Sequence, residues 1–219
     1  MKNETNLFKI EACIGTLQSG IEAEKGGANR VELCDNLAEG GTTPSAALIQ
    51  MTKERLKIPA AVMIRPRHGD FLYSDLEFEI MKKDIEFCKT VGVEAVVFGL
   101  LTPDGQIDCQ RTMRLVESAG NMQVCFHRAV DLSRDYFEAI EQIINCGCTR
   151  ILTSGGANKA VEGFENIRKA QELYGNKIEI MVGSGINAEN VSKFHSIGIR
   201  NFHLSGKVQI DSLMTYRKE

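Results

Sequence analysis

The feature that most constrains this chain is a unit that recurs along its length: a glycine, a short β-rich run, then an amphipathic stretch. Gly27-Ala-Asn-Arg-Val, Gly92-Val-Glu-Ala-Val, Gly147-Cys-Thr-Arg-Ile and Gly198-Ile-Arg-Asn-Phe each set a glycine at a helix end just ahead of a strand. A residue that ends a helix in the left-handed conformation is unstrained when it lacks Cβ, and a parallel β/α repeat meets that need once per unit. The β-rich runs cover residues 8–13, 30–34, 60–65, 95–100, 123–127, 150–153, 179–182 and 200–204. Between them, sets such as Met81/Ile85/Cys88 and Phe137/Ile140/Ile144 place apolar residues on one helical face. Thr43-Pro44, Asp108 and Ser133 read as helix starts.

Eight such runs alternating with helices predict an α/β fold, a TIM-type (β/α)8 barrel, over an open doubly wound sheet. A chain of 219 residues suits one barrel, and no linker or composition break divides residues 1–219, so a single domain is expected. The open sheet would bind a dinucleotide, and Gly183-Ser-Gly185-Ile-Asn-Ala188 does fit a loose G-x-G-x-x-A pattern. That match comes late in the chain, and the residue about 20 positions on is His203, where a ribose-binding acid belongs.

Charge and apolar runs exclude other classes. Lys and Arg number 26 against 29 Asp and Glu, so no basic face is expected for nucleic acid. The longest nearly apolar stretch, 93–101, holds Glu94 and is too short to span a bilayer, so no membrane association is expected. Residues Met1-Lys2-Asn3-Glu4-Thr5-Asn6 lack an apolar signal core, which predicts a cytoplasmic protein. Its seven cysteines then read as reduced thiols. None forms Cys-x-x-Cys, Cys146-Gly-Cys148 being the nearest approach, and the helical spacing of Cys88 and Cys109 reads as packing.

In such a barrel, chemistry sits at the carboxyl ends of the strands. There the chain carries Glu11 and Cys13 on the first strand, and Glu32 and Cys34 on the second, each pair sharing a face because side chains alternate. The third strand ends at Arg65 and continues through Arg67 and Asp70; the fifth ends at His127, followed by Arg128 and Asp131; the eighth carries His203 and Ser205. One reading pairs Glu11 and Glu32 with Arg65 and His127 as an ion network that orders the mouth. The other makes the convergence a functional site, because buried polar groups in a pocket are costly without one. In that reading Glu11 or Glu32 is a general base and His127 a general acid. Arg65, Arg67, Asp70, Arg128, Asp131, Ser154, Gly155, Gly183, Gly185 and Ser205 would surround an anionic substrate, helped by backbone N–H groups of the glycine turns. Nucleophile motifs such as Gly-x-Ser-x-Gly and His-Glu-x-x-His are missing. A hard-metal site would have only Glu11, Glu32, His127 and Asp131 to draw on. Cys13 and Cys34, at adjacent strand ends, could instead hold a soft ion, with Cu(I) the natural candidate.

Several segments together resemble the CutC family. They are Gly26-Gly-Ala-Asn-Arg-Val-Glu-Leu-Cys34, Glu39-Gly-Gly-Thr-Thr-Pro-Ser45, Met63-Ile-Arg-Pro-Arg67 with Gly69-Asp-Phe71 and Tyr73-Ser74, Phe126-His-Arg-Ala129 with Asp131, and Ile151-Leu-Thr-Ser-Gly155. The resemblance implies a TIM-type barrel, a role in control of intracellular copper, and Cu(I) as ligand of cysteines on the first two strands, which here are Cys13 and Cys34. Relatives often continue into a closing helix, whereas residues 205–219 alone follow the eighth strand here, Met214-Thr-Tyr-Arg217 among them. An uncovered outer face on that strand predicts a homodimer or larger homo-oligomer. Two functions follow as expectations. One is cytoplasmic copper handling through Cu(I). The other is a lyase, isomerase or hydrolase acting on a carboxylated or phosphorylated small molecule.

Overall fold

A computed structural model of the protein describes residues 8–208 and 210–216. The chain runs β1 (Lys9–Ile14), α1 (Leu17–Lys25), β2 (Arg30–Leu33), α2 (Ala46–Arg55), β3 (Ala60–Met63), α3 (Asp75–Val91), β4 (Ala95–Phe98) and α4 (Cys109–Ala119). It continues through β5 (Gln123–Phe126), α5 (Tyr136–Asn145), β6 (Arg150–Thr153), α6 (Phe164–Tyr174), β7 (Glu179–Val182), α7 (Val191–Ser196) and β8 (Asn201–Leu204). Short 3-10 turns occupy Leu37–Glu39 and Arg128–Leu132. The eight strands are parallel and close in sequence order, with β8 pairing back onto β1. This is the TIM-type (β/α)8 barrel that the repeat predicts, with seven α-helices outside it among the described residues.

The recurrent glycines do what the repeat requires. Gly27, Gly92, Gly147 and Gly198 hold φ of +88°, +77°, +87° and +96°, turning the chain from helix into strand. Strand alternation then divides the apolar residues into two shells. Outward side chains, among them Val31, Val62, Val96, Phe126, Ile151 and Phe202, pack with the helices as one large core. Inward ones make a smaller core of Ala61, Met63, Ala95, Val97, Cys125, Leu152 and Met181, with Cys34 at its edge. At the amino end, Arg150 pairs with Glu179 and donates to Gln123 Oε1 at 2.9 Å, which closes the barrel there with a paired charge, although its Nη1 is left without a partner.

Helix starts follow local chemistry more than the sequence signals suggested. Asp108 caps α4 as expected, its carboxylate accepting the Arg111 N–H at 3.0 Å. At α2 the cap is Ser45, because Thr43 Oγ1 is taken by the Arg65 N–H at 2.9 Å. At α5 the cap is Asp135, which accepts from Phe137 and Glu138, because the Ser133 hydroxyl is spent on the Val130 carbonyl at 2.7 Å. Strands expected to reach residues 34, 65, 100 and 127 end at Leu33, Met63, Phe98 and Phe126, and the chain beyond them turns into the mouth. Single ladder bonds persist past those ends, as from His127 N to the Phe98 carbonyl at 2.9 Å. No helix follows β8 among the described residues, and none of the described helices is long and apolar enough to cross a membrane.

One glycine is held by close packing as well as by φ. Gly155, at φ +76°, would place an added Cβ 2.3 Å from the Gly163 carbonyl oxygen, while Gly206 would place one in open space. Gly155→Ala is expected to cost about 2–3 kcal/mol in urea denaturation, with Gly206→Ala near zero. Equal midpoints for the two variants would contradict this packing.

Candidate metal centre at the barrel mouth

The register of three neighbouring strands builds the site. Cys13 lies opposite Glu32 across the β1–β2 ladder, and Glu11 lies opposite both Arg30 on β2 and His203 on β8. Alternation turns all of these inward. The Glu11 carboxylate therefore meets two cationic partners: Arg30 Nε binds its Oε2, and His203 Nδ1 lies 2.9 Å from its Oε1. Arg30 is itself packed against Met181, its Nη2 3.3 Å from Sδ.

With Nδ1 committed to Glu11, the Nε2 atom of His203 points toward the mouth, 3.8 Å from Glu32 Oε2. One ligand atom from each of Cys13, Glu32 and His203 lies within 4.8 Å of the others. Cys34 joins them, its Sγ 4.0 Å from that of Cys13 and 3.4 Å from Glu32 Oε2. Both cysteines are free thiols.

The electrostatics of the cluster favour the thiolate at Cys13 and protonation at Cys34, Glu32 and His203, so a metal bound there would displace protons. The contact with Cys34, aided by His203 against the pull of burial, lowers the Cys13 thiol to about 5. The same contact, together with burial, raises Cys34 well above the usual thiol range. Burial pushes Glu32 up to about 8 despite the attraction of His203. Burial also opposes ionisation of Glu11, yet its bonds to His203 and Arg30 prevail and hold it at about 2. For His203, burial is outweighed by Glu32, Cys13 and Glu11, which raise it well above the ordinary histidine value.

These donors could hold a metal ion. Two metal–thiolate bonds of about 2.3 Å opening at about 120° span about 4.0 Å, which matches the observed sulfur separation of 4.0 Å. A His203 nitrogen stands in the same cluster as the Cys13 sulfur and could serve as a further donor. Thiolate and imidazole suit Cu(I) and zinc alike, and a carboxylate such as Glu32 suits the harder of the two. Glu11 behind His203 is the carboxylate that commonly fixes the tautomer of a metal-binding histidine.

The other expected site residues fall into distinct groups. Arg65, His127, Arg128, Gly185 and Ser205 line, with Cys13, Glu32 and His203, one cavity of about 490 Å³ at the mouth. Arg67 and Asp70 are bound to each other at 3.0 Å, and Arg67 also binds Glu77 at 2.6 Å, so they brace the loop after β3. Asp131 is buried and saturated: it accepts from Arg128, the Thr153 and Ser154 hydroxyls, and the Ser154 and Gly156 N–H groups. The single Ser154 hydroxyl proton is shared between Asp131 and the Ala157 carbonyl, and Gly155 is packed against Gly163, so this turn holds backbone together. Gly183 makes room for Leu152 and His203, an added Cβ there meeting the former at 2.8 Å.

Two expectations change. Glu11 and Glu32 do not pair with Arg65 and His127: Glu11 takes Arg30 and His203, while Arg65 binds only backbone carbonyls. The reason is register, since Arg30 and His203 are directly across the ladder from Glu11. His203, expected at the mouth but not among the metal-ligating residues, lies beside Cys13 and Glu32 as a possible donor. Its signal lies in the alternation of β8, where Asn201, His203 and Ser205 share the inward face.

A closed (β/α)8 barrel with a thiol–imidazole cluster at its carboxyl mouth defines the class of protein. A family model described as CutC family matches residues 8–208, and the chain belongs to that family. It is 47% identical to a CutC family protein of Chromobacterium violaceum over 210 residues, covering 95% of this chain and 85% of the relative. It is 43% identical to the human copper homeostasis protein cutC homolog over 213 residues, covering 97% of this chain and 78% of the relative. The crystal structure of a CutC protein from Streptococcus agalactiae superposes with a TM-score of 0.85 at 38% identity, covering 90% of this chain and 97% of that one. A 2,3-dimethylmalate lyase superposes with a TM-score of 0.66 at 12% identity, covering 90% and 75% of the two chains, a likeness of barrel fold alone.

His127 provides a test of the mouth's geometry. Burial, with the Arg65 charge nearby, lowers its imidazole to about 3 from an ordinary 6.5. The unfolded chain therefore binds the extra proton first, so stability is full above pH 6.5 and falls as pH drops toward 3. The slope contributed by this one group is up to about 1.4 kcal/mol per pH unit. His127→Phe is expected to flatten the pH–stability profile in that window; a slope equal to the parent's would mean that the imidazole is not buried neutral.

Proposed function

We propose that this protein binds one Cu(I) ion at the barrel mouth through Cys13 and Cys34, with His203 as the third ligand, and that this site serves copper homeostasis. The observation that carries the reading is the 4.0 Å approach of the two sulfurs beside an imidazole whose other nitrogen is held by Glu11. Membership of the CutC family, with a human relative described as a copper homeostasis protein, supports it. Cu(I) is cargo in this scheme. The two thiols and the imidazole hold it, Glu11 and Arg30 keep the imidazole aimed, and the apolar neighbours Met63 and Leu152 limit access of water.

The test is titration of the reduced protein with Cu(I) in competition with a coloured Cu(I) chelator. One equivalent is expected for the parent, and none at comparable affinity for the folded Cys13→Ser/Cys34→Ser double variant. Glu11→Gln, which touches no metal, is expected to weaken binding by about 10–100-fold by releasing the imidazole. A folded double variant that binds Cu(I) as the parent does would overturn the assignment.

A further inference from the structure

We propose a second site in the same cavity: an oxyanion subsite, formed by Arg65 and His127, for the carboxylate or phosphate of a small organic acid. The site is distinct from the copper ligands and does not depend on that reading.

The first observation is an unbalanced charge. Arg65 is buried, and its two Nη atoms donate to the carbonyls of Glu39, Gly41 and Gly69 at 3.0, 2.8 and 2.7 Å. Among the described residues no carboxylate pairs with it. The other buried guanidiniums in this barrel do have acidic partners: Arg30 with Glu11 and Arg150 with Glu179. A buried cation held by neutral dipoles alone is costly, and the cost falls when an anion occupies the space it faces.

The second observation is a pair of unused donors. Arg65 Nε is buried without a partner, and so is His127 Nε2. His127 Nδ1 accepts the Ala129 N–H at 3.2 Å, which leaves the proton on Nε2 and makes that atom a donor. Phe71 ties the two groups together: the Arg65 guanidinium sits 5.1 Å from its ring centre and the His127 ring 4.7 Å from it. Gly99 is part of the construction, because a Cβ there would fall 2.6 Å from the imidazole. Orphaned buried donors are rare in folded proteins and call for a ligand or an ordered water.

The third observation is the room available. Both groups line the 490 Å³ cavity, a size that suits a small molecule. Its other walls include Leu37, Leu132 and Ile186, so an organic skeleton has apolar surface to cover while its acid group meets the two donors. The neutral imidazole and the permanently charged guanidinium together offer two N–H groups and one positive charge, the complement of a single oxyanion.

The experiment is a titration of the metal-free, reduced protein at low ionic strength, with the His and Arg side chains labelled with 15N. Inorganic phosphate and malonate serve as separate probes. Saturable shifts at His127 Nε2 and Arg65 Nε are expected with at least one of them. A response to phosphate alone identifies a phosphoryl ligand, and a response to malonate alone a carboxylate. Loss of the imidazole donor in His127→Phe is expected to weaken binding at least about tenfold, whereas His127→Gln, which keeps an N–H, retains most of it. Arg65→Lys keeps the charge without the planar donor and is expected to weaken binding to a similar extent, which covers failure of the phenylalanine variant to fold. Absence of a saturable response to both probes up to about 10 mM, or equal affinity in His127→Phe and the parent, would overturn the proposal.

Discussion

The contact on which the mouth of this barrel depends is the shared carboxylate of Glu11. One oxygen binds Arg30 and the other His203, so a single side chain at the centre of β1 fixes its neighbours on β2 and β8. Three inward polar groups would otherwise be a severe burden in a barrel interior. Bound in this order they satisfy one another and give His203 one orientation, with Nε2 presented beside Cys13 and Glu32. The seam where β8 closes on β1 is therefore both a structural joint and the scaffold of the candidate ligand cluster.

A division of labour follows within one cavity. The floor, made by Cys13, Cys34, Glu32 and His203, is rich in soft donors and in groups that titrate against one another. The rim, made by Arg65 and His127, has unused N–H groups, and burial favours the neutral form of the His127 imidazole. Outside these two sets, charges that looked functional hold loops in place. Arg67 ties down the segment after β3, and Asp131 gathers the turn after β6 through five donors. Such loops must be rigid if the groups between them are to keep their aim.

The fold was legible because its signal is periodic. Glycines such as Gly92 and Gly147 mark each return to the sheet, and the alternation of Glu11 with Cys13 and of Glu32 with Cys34 correctly assigned the inward face. Pairing was less legible, because it depends on register across strands far apart in sequence. Glu11 and His203 are 192 positions apart, and nothing local to either announces the contact. Caps misled for a related reason: Thr43 and Ser133 have the right hydroxyl, but tertiary neighbours claim it first. The resemblance to CutC proteins implied Cys13 and Cys34 as metal ligands, whereas the imidazole proposed to join them is placed beside Cys13 only once the ring is closed.

The central claim is that two sulfurs and one imidazole nitrogen meet on a single ion. X-ray absorption at the copper edge, on protein loaded with one equivalent of Cu(I) under reducing conditions, examines that coordination directly. The account predicts two sulfur neighbours at about 2.3 Å and one nitrogen neighbour, the nitrogen vanishing in His203→Phe. A shell of oxygen and nitrogen alone, or a nitrogen signal that survives the loss of His203, would contradict it.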